Sequence, residues 1–422
     1  MSYLDEIILE VQARPIPWEG YVRGNYISQE DATPFKSAEK AGPERRQLVE
    51  KDPSRYASAI SSIWEGCTQD DVIKFSLQFA TNVLDVKDFV TALSKITTIW
   101  QSLAPLLKRP DEQVQLLAAN FLVELSSSIS LPDSIVTQLF ELLATLLPSS
   151  NSSIRDIAVQ WVAKLLETKQ YRTQFWSLHS ILLPPIVAVL KPATLGTLQC
   201  QYYALLSLWL LSFDKQIAIG LTTDYDTVET ILQSSKMAIK EKITRVAIAT
   251  LLNLVEFAPS AAACLIAHRG LPTINALAER KWTDEELRED VAKLQTTLAE
   301  SFENMSTFDV YLSEINSKHL IWSPPHRSTS FWKANIAEFS AQDYKILRKL
   351  VSILMDAKTP LVQAVACNDI AFIVSESPDA TSILAEGAVK QHIMGLMESP
   401  DPEVRYEALR ATQAFITKLF KA

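Results

Sequence analysis

Five histidines and four cysteines are the side chains here that could ligate a metal or serve as nucleophile and base. The histidines, His179, His268, His319, His326 and His392, are dispersed, and no two lie three or four residues apart. The cysteines, Cys67, Cys200, Cys264 and Cys367, form no CxxC pair, and the last three sit in apolar helical patterns. That is the usage of small buried residues in a reducing compartment. No HExxH, GxSxG, GxGxxG or GxxxxGK[ST] sequence occurs, and nine glycines in 422 residues are too few for phosphate-cradling loops. Carboxylates fall mainly on polar helix faces, as in Trp282–Asp290. The sequence therefore predicts no catalytic residue, no cofactor and no metal site. The chain is not expected to be an enzyme.

The stretch that stands apart is 320–335, LIWSPPHRSTSFWKAN. Pro325 lacks an N–H and pushes Pro324 out of the α region, so a helix must break there. Trp322, His326, Phe331 and Trp332 flank the break, and such aromatics predict a clamped, stiff joint. On both sides of it the apolar spacing is helical: Val404, Ala408, Ala411, Phe415 and Leu419 line one face.

A motif recurs along the chain: an aliphatic residue, often a polar one next, and a small residue four positions on. It reads Val72…Ser76, Val114-Gln115…Ala118, Ile154-Arg155…Ala158, Cys200…Ala204, Ile243…Ala247, Leu287-Arg288…Val291, Val362-Gln363…Ala366 and Val404-Arg405…Ala408. The intervals are 42, 40, 46, 43, 44, 75 and 42 residues, and the long one spans the joint. A period near 40–47 is that of HEAT and armadillo units, whose stacked helices need a small residue at closest approach. Asp111, Asp401-Pro402 and Thr359-Pro360 supply capping oxygens at helix starts. The expected fold is all-α, a HEAT/armadillo-like α-solenoid in two domains joined by a proline-containing hinge. The divisions are 1–318 (N-terminal solenoid), 319–335 (hinge) and 336–422 (smaller C-terminal repeat domain). A cut near Lys318 is expected to leave two folded pieces. Residues 1–50 read as an irregular, extended opening with one or two short helices near Ile27–Lys36, anchored by Trp18 and Tyr21.

Arg155, Arg288 and Arg405 recur at one position of the unit and either line a peptide groove or bridge to the neighbouring unit; bridging is preferred. Trp64, Trp100, Trp161, Trp176 and Trp209 are assigned to core packing. Residues 1–320 hold 29 basic against 38 acidic side chains and residues 321–422 hold 11 against 11, so neither part suits a phosphate backbone. The N-terminus carries acidic residues where a secretory signal needs basic ones. The apolar run YYALLSLWLLSF, 202–213, is too short to span a membrane and reads as a helix buried on all sides. A cytosolic location is expected.

Three stretches resemble one family, the regulatory H subunits of vacuolar-type proton-pumping ATPases. Near the start, Ile16-Pro17-Trp18-Glu19-Gly20-Tyr21 followed by Ile27-Ser28-Gln29-Glu30-Asp31 is similar to that family's W-x-x-Y…IS-x-x-D opening. Met305-Ser306-Thr307-Phe308-Asp309-Val310-Tyr311, Leu320-Ile321-Trp322-Ser323-Pro324-Pro325-His326 and Phe331-Trp332-Lys333-Ala334-Asn335 resemble its SSFDEY…L-x-WSPxH…FWxEN. Asp401-Pro402-Glu403-Val404-Arg405-Tyr406-Glu407-Ala408-Leu409 matches its closing helix. Where relatives carry a basic turn like YPRGK, this chain has Ser375-Glu376-Ser377-Pro378-Asp379-Ala380.

The resemblance implies a non-catalytic subunit of the ATP-hydrolysing peripheral sector, on the cytosolic face of vacuolar and other endomembranes through the complex. It implies a role in coupled proton transport and in silencing hydrolysis when the sectors dissociate. Expected partners are the peripheral stalk (E/G type), the cytosolic domain of the membrane-sector a subunit, and the rotor and catalytic ring in the detached state. The hinge and partner residues would be Trp322, Pro324, Pro325, His326, Phe331, Trp332, Trp18, Tyr21, Glu376, Asp379 and Arg405. The alternative is an armadillo-type peptide-binding adaptor in trafficking or nuclear import, which wants repeated exposed Asn and Trp along one face; Asn is sparse at the relevant helices, Asn120 and Asn253 being the exceptions.

Overall fold

The computed structural model describes residues 3–258, 260–304, 307–377, 384 and 388–419. Among the described residues the secondary structure is entirely α-helix with short 3-10 turns. The chain divides into two compact units, Met1–Leu211 and Ser212–Ala422. No described helix is long and apolar enough to cross a membrane.

The first unit opens with α1 (Tyr3–Ala13), α2 (Trp18–Arg23) and α3 (Gln29–Ala41). This opening is more helical than its prolines and glycines suggest. Pro15 and Pro17 fall between α1 and α2, and Pro34 lies inside α3, where Ala32, Phe35 and Ala38 are buried on one face. Burial at that spacing outweighs the missing N–H, because tertiary packing supplies most of a helix's stability. The array follows in α4 (Pro53–Gly66), α5 (Asp70–Asn82), α6 (Glu112–Leu125), α7 (Ser152–Leu166) and α8 (Leu198–Ser212), with further helices between.

The second unit contains α9 (Glu241–Phe257), α10 (Glu285–Asn304), α11 (Thr307–Ser317), the two short helices α12 (Pro324–Arg327) and α13 (Thr329–Asn335), then α14 (Ala341–Asp356), α15 (Pro360–Glu376), α16 (Ala388–Leu396) and α17 (Pro402–Leu419). The first turn of α14 is left-handed at Gln342, Asp343 and Tyr344, and regular helix begins after it.

The small residue of the repeat is buried in every unit: Ser76, Ala118, Ala158, Ala204, Ala247, Ala366 and Ala408 have no exposed surface and Val291 has 1%. Asp111 and Asp401 cap their helices by accepting from the amides of Val114 and Val404. Thr359 does not: its backbone is extended, as an N-cap should be, but its hydroxyl makes no capping bond and Pro360 alone sets the start. Trp64 and Trp161 are buried, whereas Trp100, Trp176 and Trp209 are partly exposed. The 202–213 run is not buried on all sides, since Tyr202, Tyr203, Leu206 and Trp209 are partly exposed and Phe213 is exposed.

Candidate functional site

The double-proline stretch is built from the end of α11. Lys318 adopts φ +57, the left-handed conformation that closes a helix. The His319 amide donates to the Glu314 carbonyl at 3.2 Å and the Lys318 amide to that of Ile315 at 3.4 Å. The chain then turns tightly at Trp322, where the Ser323 amide donates to the Ile321 carbonyl at 2.8 Å, and Pro324 and Pro325 occupy the first positions of α12, where a missing N–H costs no helical bond. The prolines thus break one helix and start another. Ser328 accepts from the Phe331 amide at 3.1 Å and caps α13.

These turns deliver His326 into the interior with no exposed surface. Its Nδ1 lies 2.8 Å from Asp369 Oδ1 on α15, and its Nε2 lies 2.9 Å from Glu314 Oε2 on α11. A neutral imidazole carries one N–H, so only the imidazolium donates to both carboxylates. Burial opposes that charge, but Asp369's carboxylate and the hydrogen bonds to Asp369 and Glu314 raise the His326 pKa to about 10. Burial pushes the Asp369 carboxyl up, and the imidazolium beside it works against that shift. Tyr311 donates its hydroxyl to Asp369 at 3.1 Å, and its own pKa is raised by burial and by that carboxylate.

The network extends to the last helix. Asn368 donates to the His326 carbonyl at 2.8 Å and accepts from Arg410 Nη1 at 2.9 Å, and Arg410 pairs with Glu407 at 2.8 Å. One set of charge-assisted bonds therefore joins α11, α12, α15 and α17. Around it lie the aromatics. Trp332 is fully buried, stacks on Phe372 with ring centroids 5.4 Å apart, and meets Tyr311 edge-on at 5.5 Å. Phe331 and Phe339 pack on the same tyrosine. Trp322 is partly exposed, with the Arg327 guanidinium 4.6 Å over its ring.

Leu320, Phe331 and Trp332 share one core with Leu347, Leu350, Ile370, Ile373 and Phe415. The stretch read from the sequence as a hinge is thus packed with the helices that follow it, and Trp332 lies within a helix. His326 and Asp369, both without exposed surface, are out of reach of any substrate. Their arrangement can hold helices in register; it cannot exchange a proton with a bound molecule.

The other anticipated residues are scattered. Trp18 is 3% exposed, stacks near Phe35, and donates Nε1–H to Glu39 at 2.7 Å. Tyr21 donates to Asp71 on α5 at 2.6 Å, and that bond raises its pKa to about 12. Glu376 is exposed at the end of α15. Asp379 lies outside the described residues. Arg405 donates to the carbonyls of Ser399 and Pro400 at 2.7 and 2.9 Å.

For Arg405 that last contact is a tie to its own loop and not the expected bridge to the neighbouring unit. Gln115 bonds back to the Arg109 carbonyl at 2.6 Å, Gln201 to that of Gly196 at 2.7 Å and Gln363 to that of Ala357 at 3.0 Å. In these four of the eight units the polar position is a latch that ties the helix start to the loop before it; Ile73 has no polar side chain to make one, and Arg155 Nε and the Thr244 hydroxyl are buried without a hydrogen-bond partner among the described residues. Arg288 instead pairs on its own helix with Glu285 at 3.5 Å. Bridges between neighbouring units come from other residues: Lys74 to Asp111 and Lys164 to Glu124, each at 2.6 Å. Cys264 and His268 are four residues apart in the sequence, a spacing missed when histidines are compared only with one another, and His268 lies 3.6 Å from Glu229 and 6.0 Å, ring to ring, from His319. No group of three such side chains suited to a metal ion occurs among the described residues.

Two family profiles, both for the H subunit of the V-ATPase, match residues 2–298 (N-terminal profile) and 304–420 (C-terminal profile). The chain is 26% identical over 434 residues to the H subunit of the V-type proton ATPase of Drosophila melanogaster, covering 98% of this chain and 89% of the relative. It is 28% identical over 423 residues to the protein of the same name in Dictyostelium discoideum, covering 98% and 93%. Among solved structures, a computationally designed armadillo repeat protein aligns with a TM-score of 0.47 at 13% identity, over 58% of this chain and 99% of its own.

Proposed function

The chain belongs to the family of V-ATPase H subunits, and on that premise we propose that it is a non-catalytic regulator acting through its surfaces. The observation that carries this is the burial of His326, Asp369 and Glu314. The family-signature residue with the richest chemistry, His326, is held in a structural clasp, which leaves contact and shape as the means of action. The protein supports coupled, ATP-driven proton transport and silences hydrolysis once the peripheral and membrane sectors separate. Residues 1–318 dock on the peripheral stalk (E/G type). Residues 336–422 engage the cytosolic part of the membrane-sector a subunit, and turn to the rotor and catalytic ring in the detached state. The 319–335 stretch travels with the C-terminal residues whose core it shares. The protein sits on the cytosolic face of vacuolar and endomembranes only through the complex. Such a brake needs differential affinity for two docking surfaces and no active site.

The adaptor reading lacks its exposed Asn row, since Asn120 is buried and Asn253 donates to Ser212 at 3.0 Å. The test is ATP hydrolysis by the detached soluble sector, prepared without this protein and then given the purified chain. The expected outcome is a dose-dependent fall in turnover, saturating at one chain per sector. Unchanged turnover would refute the silencing role.

A further inference from the structure

In the first unit a cleft of about 610 Å³ opens where the ends of α1 and α3 and the short helix Arg45–Lys51 meet α5. Phe75 and Phe79 of α5 and Ala38 of α3 give it an apolar floor. Trp18, Phe35, Tyr56, Phe75 and Phe79 pack ring against ring, and of the five only Phe75 is not buried. Arg14, just after α1, Lys40, in the last turn of α3, and Arg45 line the same cleft. Gly42 makes this convergence possible. It adopts φ +53, where a side chain is strained, yet a Cβ there would touch nothing, so the backbone angle and not space calls for glycine. The corner it makes after α3 brings Lys40 and Arg45 to one recess.

Among the described residues none of these three cations makes an ion pair. On the same elements Lys36 is paired with Glu19, Arg46 with Glu50 and Asp85, and Lys74 with Asp111. The carboxylate that lines the cleft, Glu39, accepts from Trp18 at 2.7 Å instead. Residues 1–320 hold more acidic than basic side chains, so cations left over beside a partly exposed ring run against the local composition. Charge and apolar floor together describe a ligand with both characters.

We propose that this cleft binds a short acidic segment of another subunit, with carboxylates on Arg14, Lys40 and Arg45 and one aromatic or aliphatic side chain on Phe75. Guanidinium forks meet carboxylates at two points, which fixes the segment as well as attracting it. The volume accepts a side chain or two and not a folded domain. Sites for free phosphate are built largely from backbone amides, whereas this charge sits on three long side chains from separate segments. That arrangement suits charges strung along a chain. An anionic membrane is the weaker candidate, because the cations ring a recess and residues 1–320 carry a net charge of −9. That the segment belongs to a subunit rests on the reading of this chain as a V-ATPase component and deepens the docking of residues 1–318. The cleft itself does not depend on that reading.

The experiment measures binding of a fluorescent peptide, DEEFEDE, to the full chain. The parent should bind it, and binding should weaken as salt rises. Lys40→Glu with Arg45→Glu should weaken it about tenfold while leaving the melting curve unchanged, since neither side chain is ion-paired. If charge reversal shifts that curve, Lys40→Gln with Arg45→Gln replaces it and should still weaken binding severalfold. Lys281→Glu, at an exposed cation of the second unit, should bind like the parent. A peptide with Gly in place of its Phe should bind about tenfold more weakly, which bare charge attraction would not produce. No binding by the parent, parent-like binding by the double variant, or equal affinity for the Phe and Gly peptides overturns the cleft. Phosphatidylserine vesicles that bind the parent through Lys40 and Arg45 where the peptide does not would assign the cleft to a membrane, and also overturn it. A photoreactive residue at position 40 in the full chain, added to purified V-ATPase lacking this protein, should label an acidic segment of one subunit. Adducts on basic or unrelated segments overturn the subunit as the source. Failure of the parent chain to bind the complex at all would sink the assembly reading, while the peptide still decides the cleft.

Discussion

Trp18 and Tyr21 near the start, and His326 beside Trp332 at the joint, are tied to carboxylates under different conditions. Tyr21 is partly buried and donates a neutral O–H to Asp71, which solvent also reaches. His326 faces two carboxylates sealed from solvent, and it must be charged for the arrangement to close. The difference teaches that exposure decides the kind of clasp. A solvated carboxylate tolerates any donor, while a buried one needs an opposite charge and further hydrogen bonds.

The largest way to break the comparison is to remove α11 from the joint. Tyr311 and Ile315 belong to the C-terminal core and Glu314 to the clasp. A fragment of residues 319–422 should therefore show no cooperative unfolding transition, whereas residues 307–422 should show one by circular dichroism. A folded 319–422 fragment would bear out the cut expected from the sequence near Lys318. Next, Trp332→Ala should lower unfolding free energy by roughly 3–5 kcal/mol in urea titrations, from the cavity left against Phe372. His326→Ala leaves Glu314 and Asp369 facing each other without a cation and should cost about 3 kcal/mol at neutral pH.

That third effect should depend on pH. The His326 pKa rises from 6.5 to about 10 on folding. Its contribution is thus complete below pH 6.5, declines above it, and is lost as pH passes about 10. The stability gap between parent and His326→Ala should narrow over that window; a constant gap would mean the imidazole is neutral in the clasp. The smallest effect is expected at the other signature, where Tyr21→Phe should cost about 1 kcal/mol, with the fold retained. A loss as large as that at His326 would erase the contrast.

The repeat was legible because close helix approach leaves a local trace, a small residue at a fixed interval. Breaks at Pro324 and Pro325 were equally local. What they could not reveal is which core owns Trp332, since a proline ends a helix without saying where the next one packs. The His326 clasp draws on Glu314, 12 residues before, and Asp369, 43 residues after. No short-range pattern encodes such a triplet. The opening was misjudged because prolines were weighed against propensity alone, while Phe35 and Ala38 are buried by tertiary contacts. Arg405 departs from its expected bridge for a different reason: sequence gives the position of a long side chain but not that it folds back over its own loop.

The latch bears on how such a chain can change length. Gln115, Gln363 and Arg405 each grip a carbonyl five or six residues upstream, so a residue inserted in that interval would pull donor from acceptor. In the units that make the latch, the connection ahead of the helix is consequently of fixed measure, and extra residues are accommodated elsewhere. Variation in the interval from 40 to 46 residues must then be absorbed away from the grip. The array behaves as a ruler whose divisions can stretch on one margin only.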